Sequence, residues 1–192
     1  MRLLMHICCA PCSVMCIETL RNEGINPAGF WYNPNIHPVT EYKARKNTLI
    51  DYAQMIHMKL IVENKYGLRE FIDHVHDNYE ARCGYCYSCR LEETARYAAV
   101  NGFDAITTSL LISPYQKHDI IRLTGEKMAE KYGIEFLYRD FRPCFKEGQE
   151  KARELGLYRQ KYCGCVFSEE DRYLNRKKDL VTFQKFNNHY AG

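Results

Sequence analysis

Residues 3–12 read Leu3-Leu4-Met5-His6-Ile7-Cys8-Cys9-Ala10-Pro11-Cys12. The run from Leu3 to Ile7 is short, continuous and apolar, the pattern of a buried strand. From Ser13 to Asn22 the pattern becomes amphipathic and closes at Gly24, which reads as a helix with its stop. The first strand therefore delivers cysteines to its own carboxyl end.

The same alternation continues along the chain. Strands are predicted at Ala28 to Tyr32, Leu60 to Val62, Ala105 to Ser109 and Glu135 to Tyr138. Helices are predicted at Thr40 to Met55, Leu68 to His76, Leu91 to Asn101, His118 to Tyr132 and Lys146 to Leu155. Strands separated by helices of crossover length imply a parallel sheet covered on both faces, an α/β three-layer sandwich. One domain over 1–192 is expected, with 158–192 a polar and aromatic C-terminal helical extension packed on it. Ligands of open α/β sheets bind outside the carboxyl ends of the strands. Cys8-Cys9, Tyr32-Asn33, Ser109 to Tyr115 and Arg139 to Cys144 should then meet on one rim.

Composition narrows the class. The chain has 192 residues, 46% hydrophobic and 27% charged, with a net charge of +3. This is an ordinary globular mix and argues against a disordered or fibrous protein. No apolar run approaches the ~20 residues of a membrane span, and Met1 to His6 has no signal-type apolar region. A cytoplasmic protein with no membrane contact is expected.

Ten cysteines are the abnormal feature. They fall at Cys8-Cys9-Ala10-Pro11-Cys12, at Cys83-Gly84-Tyr85-Cys86-Tyr87-Ser88-Cys89 and at Cys163-Gly164-Cys165, with Cys16 and Cys144 apart. Grouped thiols without an export signal point to metal or thiol chemistry rather than a disulfide scaffold. A two-residue spacing lets neighbouring thiolates reach one centre, and glycine permits the tight path of Cys163-Gly164-Cys165. Thiolates at the start of a helix also gain from its unpaired N–H groups. Both zinc and an iron–sulfur cluster take such ligands. A Cys9–Cys12 redox disulfide is a rival, but it leaves the other two groups without purpose. Cys16 reads as a core thiol and Cys144 as a spectator. Cys89 reads either as a ligand or as a packed residue. The first βα turn holds cysteines where related sheets carry a phosphate loop, and no G-x-x-x-x-G-K-S/T stretch occurs.

Five collinear motifs then carry a resemblance. They are His6-Ile7-Cys8-Cys9-Ala10-Pro11-Cys12; Tyr32-Asn33-Pro34-Asn35-Ile36-His37-Pro38 with Glu41, Tyr42 and Arg45; Arg82-Cys83-Gly84-Tyr85-Cys86 with Arg90-Leu91; Thr108 to Gln116; and Tyr158 to Cys165. Together they resemble the non-cobalamin epoxyqueuosine reductases, the QueH family. The resemblance implies an adenine-nucleotide α-hydrolase-like (HUP-type) domain lacking its phosphate loop. It implies a [4Fe–4S] cluster with an additional iron ion beside it. The implied reaction is the two-electron removal of the epoxide oxygen of epoxyqueuosine at the wobble position of tRNA, giving queuosine. Cofactor-binding residues carry over to Cys8, Cys9, Cys83, Cys86, Cys163 and Cys165. Cys12 falls at a further ligand position, and Cys89 lies outside the pattern.

Such a reduction needs a proton donor. His6, His37, Tyr115 and Tyr162 are candidates, with Tyr115 and His37 favoured as catalytic residues and His6 read as structural. A tRNA partner needs basic and aromatic side chains. Tyr42-Lys43-Ala44-Arg45-Lys46 offers both, and Arg172, Arg176, Lys177 and Lys178 cluster near the C-terminus. Tyr32, Tyr85, Tyr87 and Tyr115 could stack on a base. An electron donor is also required. A structural zinc module binding RNA or protein, and a thiol–disulfide oxidoreductase, remain alternatives on the same residues.

Overall fold

The computed structural model describes residues 1–174; Arg176, Lys177 and Lys178 lie outside the described residues. The strands are β1 (Leu3–His6), β2 (Ala28–Trp31), β3 (Leu60–Val62), β4 (Ala105–Thr108) and β5 (Glu135–Phe136). The helices are α1 (Ala10–Asn22), α2 (Val39–Met55), α3 (Leu68–Val75), α4 (Arg82–Val100), α5 (His118–Lys131), α6 (Phe145–Glu154) and α7 (Val166–Tyr173). Every strand pairing is parallel, in the order β3-β2-β1-β4-β5. The expected α/β three-layer arrangement is what the chain adopts.

β1 lies at the centre of the sheet, between β2 and β4. All four of its residues are buried, as are those of β2 and β4 beside it. Removing a Leu or Met side chain from water is worth roughly 1.5–3 kcal/mol, which Leu3, Leu4 and Met5 gain at this position. His6 stands in register with Phe30 on one side and Thr108 on the other. Helix α1 packs on α2 and α6, while α4 packs on α3 and α5, giving the two outer layers. Strand order reverses at β1, so the crevice between the β1 and β4 ends is the topological switch point.

Several boundaries differ from the sequence expectation. Helix α1 starts at Ala10, not Ser13, because Pro11 fits the first helical turn, where its missing N–H costs nothing. Helix α4 starts at Arg82, nine residues before the expected Leu91. Its first two turns hold Gly84, Tyr85, Tyr87 and Ser88, residues of modest or poor helix propensity. Burial of Cys86, Tyr87, Arg90, Leu91, Thr94, Ala95 and Ala98 along one stripe overrides that preference. Strand β5 ends at Phe136, two residues early. Residues 158–165 are irregular, and α7 is the described helical part of the C-terminal stretch. No described helix is long and apolar enough to cross a membrane.

Candidate metal centre at the sheet rim

The site begins where β1 ends. His6 is buried, with Nδ1 2.9 Å from Thr108 Oγ1 and Nε2 3.2 Å from Asn33 Oδ1. Asn33 Nδ2 donates to the Ile7 carbonyl at 2.9 Å. The imidazole thus ties the central strand to both neighbours. Burial, aided by the Arg90 charge, lowers its pKa to about 3, so it is neutral. This is the structural role expected of it.

Cys9 then caps α1 with extended backbone. The Cys8, Cys9 and Cys12 sulfurs lie within 4.8 Å of one another, all three residues buried. Hydrogen bonds from Cys12 and Cys9, with further help from Ser109 and Arg90, hold the Cys8 thiol well below its ordinary range. Burial lifts Cys9. The three thiols are therefore inequivalent, with Cys8 the most acidic. Gln160 Nε2 donates to Cys9 Sγ at 2.9 Å and to Cys12 Sγ at 3.4 Å.

The second group arrives on α4. Cys86 is buried and Cys83 half-buried. Arg90, one turn on, donates through Nε to the Cys86 carbonyl at 3.0 Å and through Nη2 to Cys86 Sγ at 2.9 Å. The third group is held by backbone clamps. Arg45 Nη1 and Nη2 donate to the Cys163 and Tyr162 carbonyls at 2.8 and 3.1 Å, and Arg45 Nε pairs with Glu41 Oε1 at 2.7 Å. The His37 N–H donates to the Gly164 carbonyl at 2.8 Å, and Val166 N–H donates to His37 Nδ1 at 3.3 Å. Gly164 has φ +151°, and a Cβ there would sit 3.4 Å from Arg45 Nη1, so glycine is required. Gln116 Nε2 donates to Cys163 Sγ at 3.2 Å.

The groups meet, but not with equal tightness. Cys8, Cys12 and Cys163 line one cavity of about 560 Å³, a volume within the range of small-ligand sites. Cys165 and Cys86 pack in one apolar cluster with Phe71 and Val75. Among the described residues, only Cys8, Cys9 and Cys12 form a set as close as 4.8 Å. Cys16 is a core thiol bonded to the Cys12 carbonyl, and Cys144 is half-buried in the turn Arg142–Cys144. Burial of Cys89 pushes its thiol up, partly offset by the neighbouring Tyr32 hydroxyl, Arg90, Lys65 and the Tyr85 hydroxyl.

The stretch of chain that builds this rim is matched by a family model. The model described as Epoxyqueuosine reductase QueH covers residues 3–171. The chain belongs to the epoxyqueuosine reductase QueH family. Its relatives of that name include one from Dehalococcoides mccartyi, 37% identical over 172 residues, spanning 90% of this chain and 94% of the relative. Another, from Thermotoga maritima, is 37% identical over 182 residues, 88% and 91% of the two chains. A third, from Haemophilus influenzae, is 34% identical over 179 residues, 88% and 72%.

Within this QueH-family site the proton-donor candidates separate. Tyr115 lines the cavity and is 84% exposed. His37 is buried, does not line the cavity, and has both ring nitrogens bonded to backbone, Nε2 to the Pro34 carbonyl at 3.2 Å. Tyr162 lines the cavity and bonds the His37 carbonyl through its hydroxyl at 2.5 Å. Of the basic stretch 42–46, Tyr42 and Arg45 are buried, leaving Lys43 exposed and Lys46 half-exposed. Tyr32 and Tyr87 are buried as well, the latter donating to Gln116 Oε1 at 2.7 Å. Sequence reasoning gave no role to the sulfur-capping amides of Gln116 and Gln160. Their signal was faint: each lies inside a quoted motif, but neither is a ligand type.

Proposed function

We propose that the protein reduces epoxyqueuosine to queuosine at the wobble position of tRNA, using a [4Fe–4S] cluster with an additional iron ion. The observation that carries this reading is the buried Cys8, Cys9, Cys12 triad, of which Cys8 and Cys12 line, together with Cys163, one cavity at the switch point. The donor chemistry fits such a group. Sulfurs receive N–H bonds from Gln116, Gln160 and Arg90, which suit thiolates rather than thiols. Cys8, Cys9, Cys12, Cys83, Cys86, Cys163 and Cys165 would hold the metals. When bound, these supply electrons one at a time and a Lewis acid for the epoxide oxygen.

The overall step breaks both C–O bonds of the epoxide, forms a C=C bond and releases the oxygen as water, consuming two electrons and two protons. An external donor supplies the electrons. Tyr115 stands at the open edge of the cavity, where its phenol can stack on the base or deliver a proton. Lys161 and Arg172 line the same cavity and supply positive charge toward the RNA backbone. His37 holds the Cys163-to-Cys165 segment in place through its bonds to Gly164 and Val166.

Anaerobic reconstitution and single turnover on epoxyqueuosine-containing tRNA, read by mass spectrometry of the nucleosides, tests this. Queuosine is expected in amounts matching the loaded protein. Intact epoxide after a full reductant equivalent would contradict the reading. Tyr115→Phe is expected to slow turnover about 100-fold with iron content unchanged; an unaltered rate would place the proton donor elsewhere.

A further inference from the structure

Arg90 is only 2% exposed, yet among the described residues it has no ion pair with a carboxylate. A buried guanidinium left without a counter-charge is expensive, because desolvation is not returned by attraction. The other buried arginine of the site, Arg45, shows the usual solution, a carboxylate at 2.7 Å. What faces Arg90 instead is sulfur. Its Nη2 bonds Cys86 Sγ at 2.9 Å, and its charge acts on Cys8 and Cys163 as well. These three cysteines come from the end of β1, the second turn of α4 and the irregular C-terminal segment. Arg90 is thus a cation bonded to the second cysteine segment, with its charge felt at the other two.

We propose that Arg90 is a positioning residue for the metal centre: its guanidinium neutralises thiolate charge from all three cysteine segments and holds the centre's reduction potential up. This rests on the iron–sulfur reading given above. The physics has a definite sign. Reduction adds negative charge to the centre, and a fixed cation with an N–H bond to a ligand sulfur favours that state. Removing the cation must lower the potential. In the metal-free protein, by contrast, no carboxylate among the described residues pairs with the buried guanidinium, so it is a liability there. A purely structural arginine, valued for its bond to the Cys86 carbonyl, would stabilise both forms alike.

Wild type, Arg90→Lys and Arg90→Met are compared after anaerobic loading with iron and sulfide. Iron and sulfide content, midpoint potential from an EPR-monitored redox titration, and thermal unfolding of loaded and metal-free forms are read. Arg90→Met is expected to reduce the reduced-to-oxidised ratio at fixed potential at least tenfold, about 59 mV for a one-electron couple. Arg90→Lys, keeping charge without the fork, should fall between. Metal-free Arg90→Met should unfold no earlier than metal-free wild type. Loss of iron from Arg90→Met with its helical signal intact, regained in Arg90→Lys, supports the same role. Wild-type potentials in both variants, or equal destabilisation of loaded and metal-free Arg90→Met, would overturn it. A wild type that binds no iron would bring down the function beneath it; loaded variants indistinguishable from a loaded wild type would bring down Arg90 alone.

Discussion

Two side chains near the third cysteine group show how single residues hold the site. Arg45 spans Glu41 and the carbonyls of Tyr162 and Cys163. Arg45→Met leaves the buried Glu41 without its cation, bonded only to the Tyr158 hydroxyl, and urea denaturation of the metal-free protein should show a loss of about 3–5 kcal/mol. Adding Glu41→Leu should recover much of it; no recovery would mean that the carbonyl bonds, not the ion pair, carry the cost. His37 is held neutral by burial, its pKa lowered to about 4, with Nε2–H donating to Pro34 and Nδ1 accepting from Val166. The unfolded chain takes up that proton below about 6.5 and the folded one only near 4, so stability falls as pH drops through this window. The contribution is at most about 3 kcal/mol, and His37→Gln should flatten that part of the pH profile. An unchanged slope would show that His37 titrates freely. Neither role is legible from sequence. Arg45 reads there as part of a basic stretch, because Lys and Arg are rarely buried unless paired, and the partners appear only once the chain is folded.

At the scale of elements, alternating apolar runs make the five strands and most helices legible, because each period is set by which face is buried. The start of α4 is the exception. Gly84, Tyr85 and Ser88 argue locally against a helix, and only the tertiary stripe from Cys86 to Ala98 reveals one. This matters for the site, since the helix fixes Cys83, Cys86 and Arg90 on successive turns. Gly84 lies inside α4, and a Cβ there meets nothing within 4 Å. Gly84→Ala should therefore raise the free energy of unfolding by about 0.5–1 kcal/mol in a denaturant titration. A loss of stability would mean that the segment is not helical. Placement of cysteines at the end of β1 was legible for a different reason: a buried parallel strand must end at the rim.

Across the whole molecule, three stretches distant in sequence reach one edge of the sheet because the strand order turns back at β1. That topology, with the Arg45 and His37 bonds to the carbonyls of Tyr162, Cys163 and Gly164, accounts for Cys8 and Cys163 sharing a cavity. The spacing of the groups showed that sulfur was concentrated, but not how closely each would approach. The structure gives a tight triad from the first group and a looser approach by the others. Iron and sulfide content of Cys8→Ala, Cys86→Ala and Cys163→Ala, each loaded anaerobically beside wild type, measures the convergence most directly. If a single centre draws on all three segments, every variant loses iron. Full wild-type iron in Cys86→Ala and Cys163→Ala, with loss confined to Cys8→Ala, would contradict it.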